Sequence, residues 1–121
     1  HEPYYDNDML SDLPMRFFAQ EIIREAIFHF FEEEIPYSSA VLIERFKEFP
    51  DKVIIDAVIW LERESQKPIL IGKNGSTIKK VREYAERELT RFMQMPVQVH
   101  LFVKIKPKWR KKQSALKELG F

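Results

Sequence analysis

The chain has 121 residues, of which 45% are hydrophobic, 13% aromatic and 32% charged, enough apolar material for one packed domain and too much for a disordered polymer. It has no cysteine, which excludes disulfide frameworks, thiolate metal sites and cysteine nucleophiles and accords with a reducing compartment. The net charge of +1 hides a division: residues 1–64 hold 15 acidic and 6 basic side chains, whereas residues 65–121 hold 4 acidic and 14 basic ones. A basic half of this kind suits a polyanionic partner, unless the two halves simply pair with each other. The longest apolar run, Ala57 to Leu61, is far short of the roughly 20 residues needed to span a bilayer. With His1 in first place, the chain reads as a processed or excised piece of something longer.

Residues 1–13 contain three Asp, Pro3 and Asn7 without apolar periodicity, which predicts an extended lead-in whose Tyr4, Tyr5, Met9 and Leu10 are free to dock on the domain. Asp12 and Pro14 form a helix-start signal. Phe18, Ile22, Ile23, Ala26, Ile27, Phe30 and Phe31 then recur at three- and four-residue spacings, predicting an amphipathic helix over 14–33 that Pro36 cannot continue. Ser38 to Phe46 and Val53 to Glu64 read as the two strands of a β-hairpin turned at Pro50, Asp51 and Lys52. The second strand is apolar on both faces and is expected at the centre of its sheet. A short segment from Ser65 to Ile71 leads through Gly72 and Gly75 into a helix ending near Met93, with Ser76 or Thr77 as its cap. After Pro96, alternation from Val97 to Ile105 marks a third strand, and Lys108 to Leu119 a last helix closed by Gly120.

The piece that carries chemistry is Ile69-Leu70-Ile71-Gly72-Lys73-Asn74-Gly75-Ser76-Thr77-Ile78. Two glycines three positions apart, at the mouth of a helix, remove the Cβ atoms that would hold a ligand away and allow positive φ angles. A sugar-phosphate backbone can then press on main-chain amides where the helix carries partial positive charge, and Lys73 adds a full charge. A nucleotide-binding P-loop would need glycine at position 67 and a hydroxyl after the lysine. Lys67 and Asn74 stand there instead. His1, His29 and His100 are too scattered for a metal site, and no nucleophile has a credible base beside it, so the chain reads as non-enzymatic.

Several segments together resemble the C-terminal domain of the bacterial Era GTPases, a KH domain of type II. They are Arg16-Phe17-Phe18 with Glu21-Ile22-Ile23-Arg24-Glu25, Ile35-Pro36-Tyr37-Ser38, Ile43-Glu44-Arg45-Phe46, Glu62-Arg63-Glu64-Ser65-Gln66-Lys67, Ile71-Gly72-Lys73-Asn74-Gly75, and Val103-Lys104-Ile105-Lys106 before Trp109-Arg110 and Leu119-Gly120-Phe121. Tyr4-Tyr5 with Leu10-Ser11-Asp12 resembles the family's interdomain linker, so residues 1–13 are expected to lead in from a GTPase domain and 14–121 to form the KH domain. Asn74 departs from the glycine frequent in such loops, yet tolerates left-handed geometry. The resemblance implies an α+β fold with a three-stranded mixed sheet packed against helices on one face. It also implies a single-stranded RNA ligand, the 3′ end of 16S rRNA in the 30S subunit, rather than DNA. GTP and Mg would belong to the other domain, leaving this chain without a cofactor. Its partners would include that GTPase domain, in the cytoplasm with a peripheral association at the inner membrane.

The RNA-contacting residues expected from the loop are Ile71, Gly72, Lys73, Asn74, Gly75, Ser76 and Lys79, with Ile69, Ile71, Ile78 and Val81 as candidates for an apolar floor. A second set, Lys104, Lys106, Trp109 and Arg110, belongs to a stretch of six cations in nine residues, in which Trp109 either stacks on a base or anchors the last helix. The competing reading is a KH-like protein-interaction module, docking a GTPase domain or a ribosomal protein without RNA readout. A pure protein-contact domain has no need of the glycine loop.

Overall fold

The computed structural model describes the backbone of residues 4–120 and the side chains of residues 13–120. In chain order it contains α1 (Tyr4–Phe30), α2 (Glu34–Ser38), β1 (Ala40–Glu48), β2 (Val53–Leu61), α3 (Lys67–Ile71), α4 (Ser76–Met93), β3 (Val97–Ile105) and α5 (Gln113–Glu118). Short 3-10 turns at Glu64–Gln66, Lys73–Gly75 and Trp109–Lys111 precede α3, α4 and α5. The sheet order is β1-β2-β3, with β1 antiparallel and β3 parallel to β2. This is the expected α+β arrangement with the second strand in the centre. Among the described residues no helix is long and apolar enough to cross a membrane.

Several boundaries differ from the sequence reading. Residues 4–13 are helical, not extended, and continue into α1 with Pro14 inside it, where the ring costs the one bond its amide would have made. The expected docking of Tyr4, Tyr5, Met9 and Leu10 lies outside the described side chains. At its other end α1 stops at Phe30, three residues early, and Glu33 turns the chain with φ 61° into α2. Strand β2 stops at Leu61 because Gln66 takes over the next two amides: its Oε1 accepts from Glu62 N and Arg63 N, each at 3.0 Å. The Gln66 Nε2 donates to Glu34 Oε2 at 2.7 Å, so this buried amide group fastens the start of α3 to α2.

Helices α1 and α4 pack on one face of the sheet. Ile23, Ala26 and Ile27 of α1 and Val81, Ala85 and Leu89 of α4, at helical spacing, bury against Val53, Ile55, Ala57, Ile59 and Leu61 of β2. A bulge between Ile43 and Arg45 shifts the register of β1. The extra residue, Glu44, reverses the alternation, so that Phe46 joins Ile43 in the core while Arg45 turns to the opposite face.

On that opposite face a smaller cluster forms from Ala40, Val58, Trp60, Trp109 and Ala115. Trp109 is only 8% exposed, its Nε1–H donates to Ser38 O at 2.9 Å, and its ring meets Trp60 edge-on at 6.3 Å. It anchors the C-terminal segment and is unavailable to stack on a base. Anchoring also splits the expected last helix into a 3-10 turn and α5, with Lys112 extended between them. Gly120, with φ 98°, closes α5 as expected. Trp109→Ala should lower the unfolding free energy in urea by about 3 to 5 kcal/mol, through lost packing and an orphaned Ser38 carbonyl. A loss below about 1 kcal/mol would contradict the anchoring role.

Candidate nucleic-acid interface

Three of the four residues in the loop between α3 and α4 have positive φ, all but Lys73. Gly72 has φ 78° and ψ 174°, Asn74 φ 55° and ψ 30°, and Gly75 φ 75° and ψ 15°. Gly72 N donates to Pro68 O at 2.8 Å, ending α3, and Gly75 N donates to Gly72 O at 3.2 Å, closing the turn. The two glycines serve different needs. A Cβ on Gly72 would collide with Thr77 Oγ1 and stand 2.8 Å from Thr77 N, whereas one on Gly75 would meet nothing. Gly72 therefore lets the loop lie against the first turn of α4, and Gly75 supplies only its φ angle.

Neither Ser76 nor Thr77 caps α4; the N-cap is Gly75, without a side-chain hydrogen bond. The helix is 18 residues long; its first amide, Ser76 N, donates to Lys73 O, and the next ones are claimed by no side chain among the described residues. Its partial positive charge points into the loop. Lys73, Ser76 and Lys79 are exposed around this end, and among the described residues neither lysine is in an ion pair.

Of the four aliphatics expected as an apolar floor, Ile71 and Ile78 are half-buried and suit that role. Val81 is fully buried in the core, and Ile69 is 54% exposed on the outside of α3. A part of the floor that periodicity did not reveal comes from β3, the sheet's edge. Its core-facing Leu101, Val103 and Ile105 are only half-buried against the core that holds Leu70 and Val81. On the free edge, Val97 N donates to Thr90 Oγ1 at 3.1 Å and Val99 N to Glu86 Oε2 at 2.8 Å, so α4 caps the first half of the strand. By alternation the amides and carbonyls of Leu101 and Val103 point the same way, and their amides have no such partner among the described residues. Glycine loop, helix terminus and open strand edge thus border one partly apolar strip.

The second expected set does not converge with this strip. Lys104, Lys106 and Arg110 lie with Trp60 and Trp109 on the far side of the sheet. Arg110 is engaged twice with Glu62, at 2.8 and 3.4 Å, and donates to Tyr37 O at 3.3 Å. Lys106 sits 4.7 Å from the Trp60 ring centre and 3.7 Å from Glu118. These two cations hold the C-terminal segment down, while Lys104 is exposed and in no ion pair among the described residues.

A protein-family model for the KH domain matches residues 34–110, the sheet, the glycine loop and α4 included. The chain belongs to the KH-domain family. Among curated relatives, the GTPase Era of Thermotoga maritima is 50% identical over 119 residues, covering 97% of this chain and 40% of that protein. The GTPase Era of Geotalea uraniireducens is 44% identical over 120 residues, with 98% and 40% covered. The chain therefore spans about 40% of the length of the curated relatives it matches. An Aquifex aeolicus Era variant bound to GDP and aluminium fluoride superposes with TM-score 0.85 at 37% identity, over 89% of this chain and 37% of that one. Era in complex with MgGDPNP and nucleotides 1506–1542 of 16S ribosomal RNA also gives TM-score 0.85, at 38% identity over 90% and 37%.

The two loop glycines of this KH domain should differ in their tolerance of a side chain. Gly75→Ala should cost about 1 kcal/mol of stability, the ordinary penalty for left-handed backbone. Gly72→Ala should cost at least about 2 kcal/mol, because its φ 78° and ψ 174° fall in a region essentially reserved for glycine and a Cβ there would also collide with Thr77. Equal losses for the two variants in chemical denaturation would refute the close approach of Gly72 to Thr77.

Proposed function

We propose that this KH domain is the single-stranded-RNA-binding part of an Era-type GTPase, taking the 3′ end of 16S rRNA during assembly of the 30S subunit. The observation that carries this reading is the loop Gly72–Gly75, bent against the uncapped start of α4 with Lys73 and Lys79 beside it. Such a loop suits about four nucleotides of unpaired strand. The backbone would bear on Gly72, Lys73, Asn74, Gly75 and Ser76, with Lys79 near a phosphate and the bases over Ile71, Ile78 and the half-buried face of β3. Phosphates gain there from both the helix terminus and the lysines. The solved Era complex with 16S rRNA nucleotides supports the choice of ligand.

On this reading the KH domain binds without catalysis, and GTP and Mg belong to a separate GTPase domain that is also its partner in the intact protein. Residues 1–13 would join the two. The working location would be the cytoplasm, with a peripheral association at the inner membrane. One observation favours a concurrent protein-docking role on another side: a groove of about 660 Å³ between α1, α2 and the C-terminal segment, lined by Phe17, Phe28, Tyr37, Trp109 and Leu119.

Fluorescence anisotropy with an unpaired RNA matching the 16S 3′ end tests the reading. Lys73→Asp combined with Asn74→Asp should weaken binding at least about tenfold and flatten the dependence of log affinity on log salt by about one unit, for the one lysine lost. Unchanged affinity would remove RNA from the loop and leave protein docking as the function.

A further inference from the structure

The face of the sheet turned away from α1 and α4 is covered by the C-terminal segment only from the Ala40–Trp60 row as far as Leu42 and Val58. From the margin of that cover outward, pairing register sets side chains in rows: Leu42, Val58 and Phe102, then Arg45, Asp56 and His100, then Lys47, Ile54 and Gln98. Phe102 stands here 54% exposed. Lys104 is two residues further along β3 on the same side, about 6.6 Å away at the rise of a strand. Asp56, the acid of these rows, is already engaged, accepting from Arg45 Nε at 3.1 Å and lying 2.9 Å from His100 Nδ1. What remains is the exposed Phe102 ring beside Leu42 and Val58 of its own row, with Lys104 and Lys47 in no ion pair among the described residues and Lys47 5.8 Å from the Phe49 ring centre.

We propose that this face is a second RNA-contact surface, on which Phe102 stacks an unpaired base while Lys104, Lys47 and Arg45 lie against the neighbouring phosphates. The proposal rests on the reading of the glycine loop as the first grip. Three observations carry it. One exposed ring, with His100 and Lys104 on either side of it along β3 and the mostly covered Leu42 and Val58 across the sheet, offers too little open apolar area for a protein partner, yet matches the size of a base. The surplus charge is positive once Asp56 is paired. And β3 is an edge strand that belongs to both surfaces: its Leu101 and Val103 border the strip beside the loop, and its Phe102 and Lys104 stand on the reverse. A strand leaving the loop reaches Phe102 by passing around that one edge.

Two RNA probes separate this surface from the loop: a fragment of nucleotides 1506–1542 of 16S rRNA, and an oligonucleotide of about six nucleotides from the 3′ end, enough to fill the loop alone. Phe102→Ala should weaken binding of the long RNA about 5- to 100-fold, the usual range for loss of a stacked base, and leave the short one unchanged. Phe102→Tyr should retain affinity for the long RNA, and Lys47→Gln with Lys104→Gln should weaken binding of the long RNA and flatten its salt dependence by about two units, leaving the short RNA unchanged. Because Phe102 is exposed, its replacement leaves the core intact. Equal affinity of wild type and Phe102→Ala for the long RNA, with the loop double variant still defective, would overturn the second surface and spare the loop. Equal losses on both probes would overturn it as well, since a separate surface cannot affect a ligand confined to the loop. If the loop variant also binds the long RNA normally, both readings fall together.

Discussion

Strand β2 is held from every side, and the rest of the domain is arranged by that burial. Its odd-numbered residues from Val53 to Leu61 are almost fully buried under α1 and α4, while Val58 and Trp60 press on the C-terminal segment. Hydrogen bonds run from it to β1 on one edge and β3 on the other. Such a strand releases its full apolar area from water, about 25 cal/mol for each Å². Its neighbours are each left with an unfinished side, and those sides are where a ligand has room. Strand β3 has a free edge with half-buried core residues, the sheet's outer face is half covered, and the chain leaving β2 must turn at once into α3 and the glycine loop.

Charge follows the same geometry. Among the described residues, the ion pairs of the acidic half are mostly internal to it, such as Arg24 with Glu21 and Arg45 with Asp56, and those of the basic half are Arg82 with Glu86, Arg91 with Glu88 and Lys106 with Glu118. Arg110 with Glu62 is an exception that bridges the halves, as is the His100–Asp56 contact. The two halves therefore do not cancel one another locally. Surface pairs of this kind add little stability, and of the lysines in no ion pair among the described residues, Lys73 and Lys79 stand at the glycine loop and Lys104 on the edge strand. The net charge of +1 describes neither half.

Periodicity made the three strands, their order and α4 readable, because each is amphipathic or continuously apolar over its length. The limits of reading lay where a single side chain overrides pattern. Gln66 ends β2 early by claiming two amides, and nothing in its spacing announces that. Residues 4–13 lack apolar periodicity yet continue α1 through Pro14. Gly72 and Gly75 were legible as a pair, but only the fold separates the glycine that avoids Thr77 from the one that needs its φ angle alone. The two readings left open for Trp109 are separated for a similar reason. Trp109, surrounded by lysines in sequence, is folded back onto Ser38 and Trp60, while Phe102, hidden in an alternating strand, is exposed on the sheet's outer face.

The central claim is that RNA lies along the glycine loop and the free edge of β3. Backbone amide chemical shifts, followed by NMR as the RNA of the 16S 3′ end is added, test it most directly. The account predicts shifts concentrated at Gly72 to Lys79 and at Leu101 to Ile105, with the α1–α2 groove around Phe17 and Tyr37 unmoved. Shifts confined to that groove, or none at saturating RNA, would contradict it.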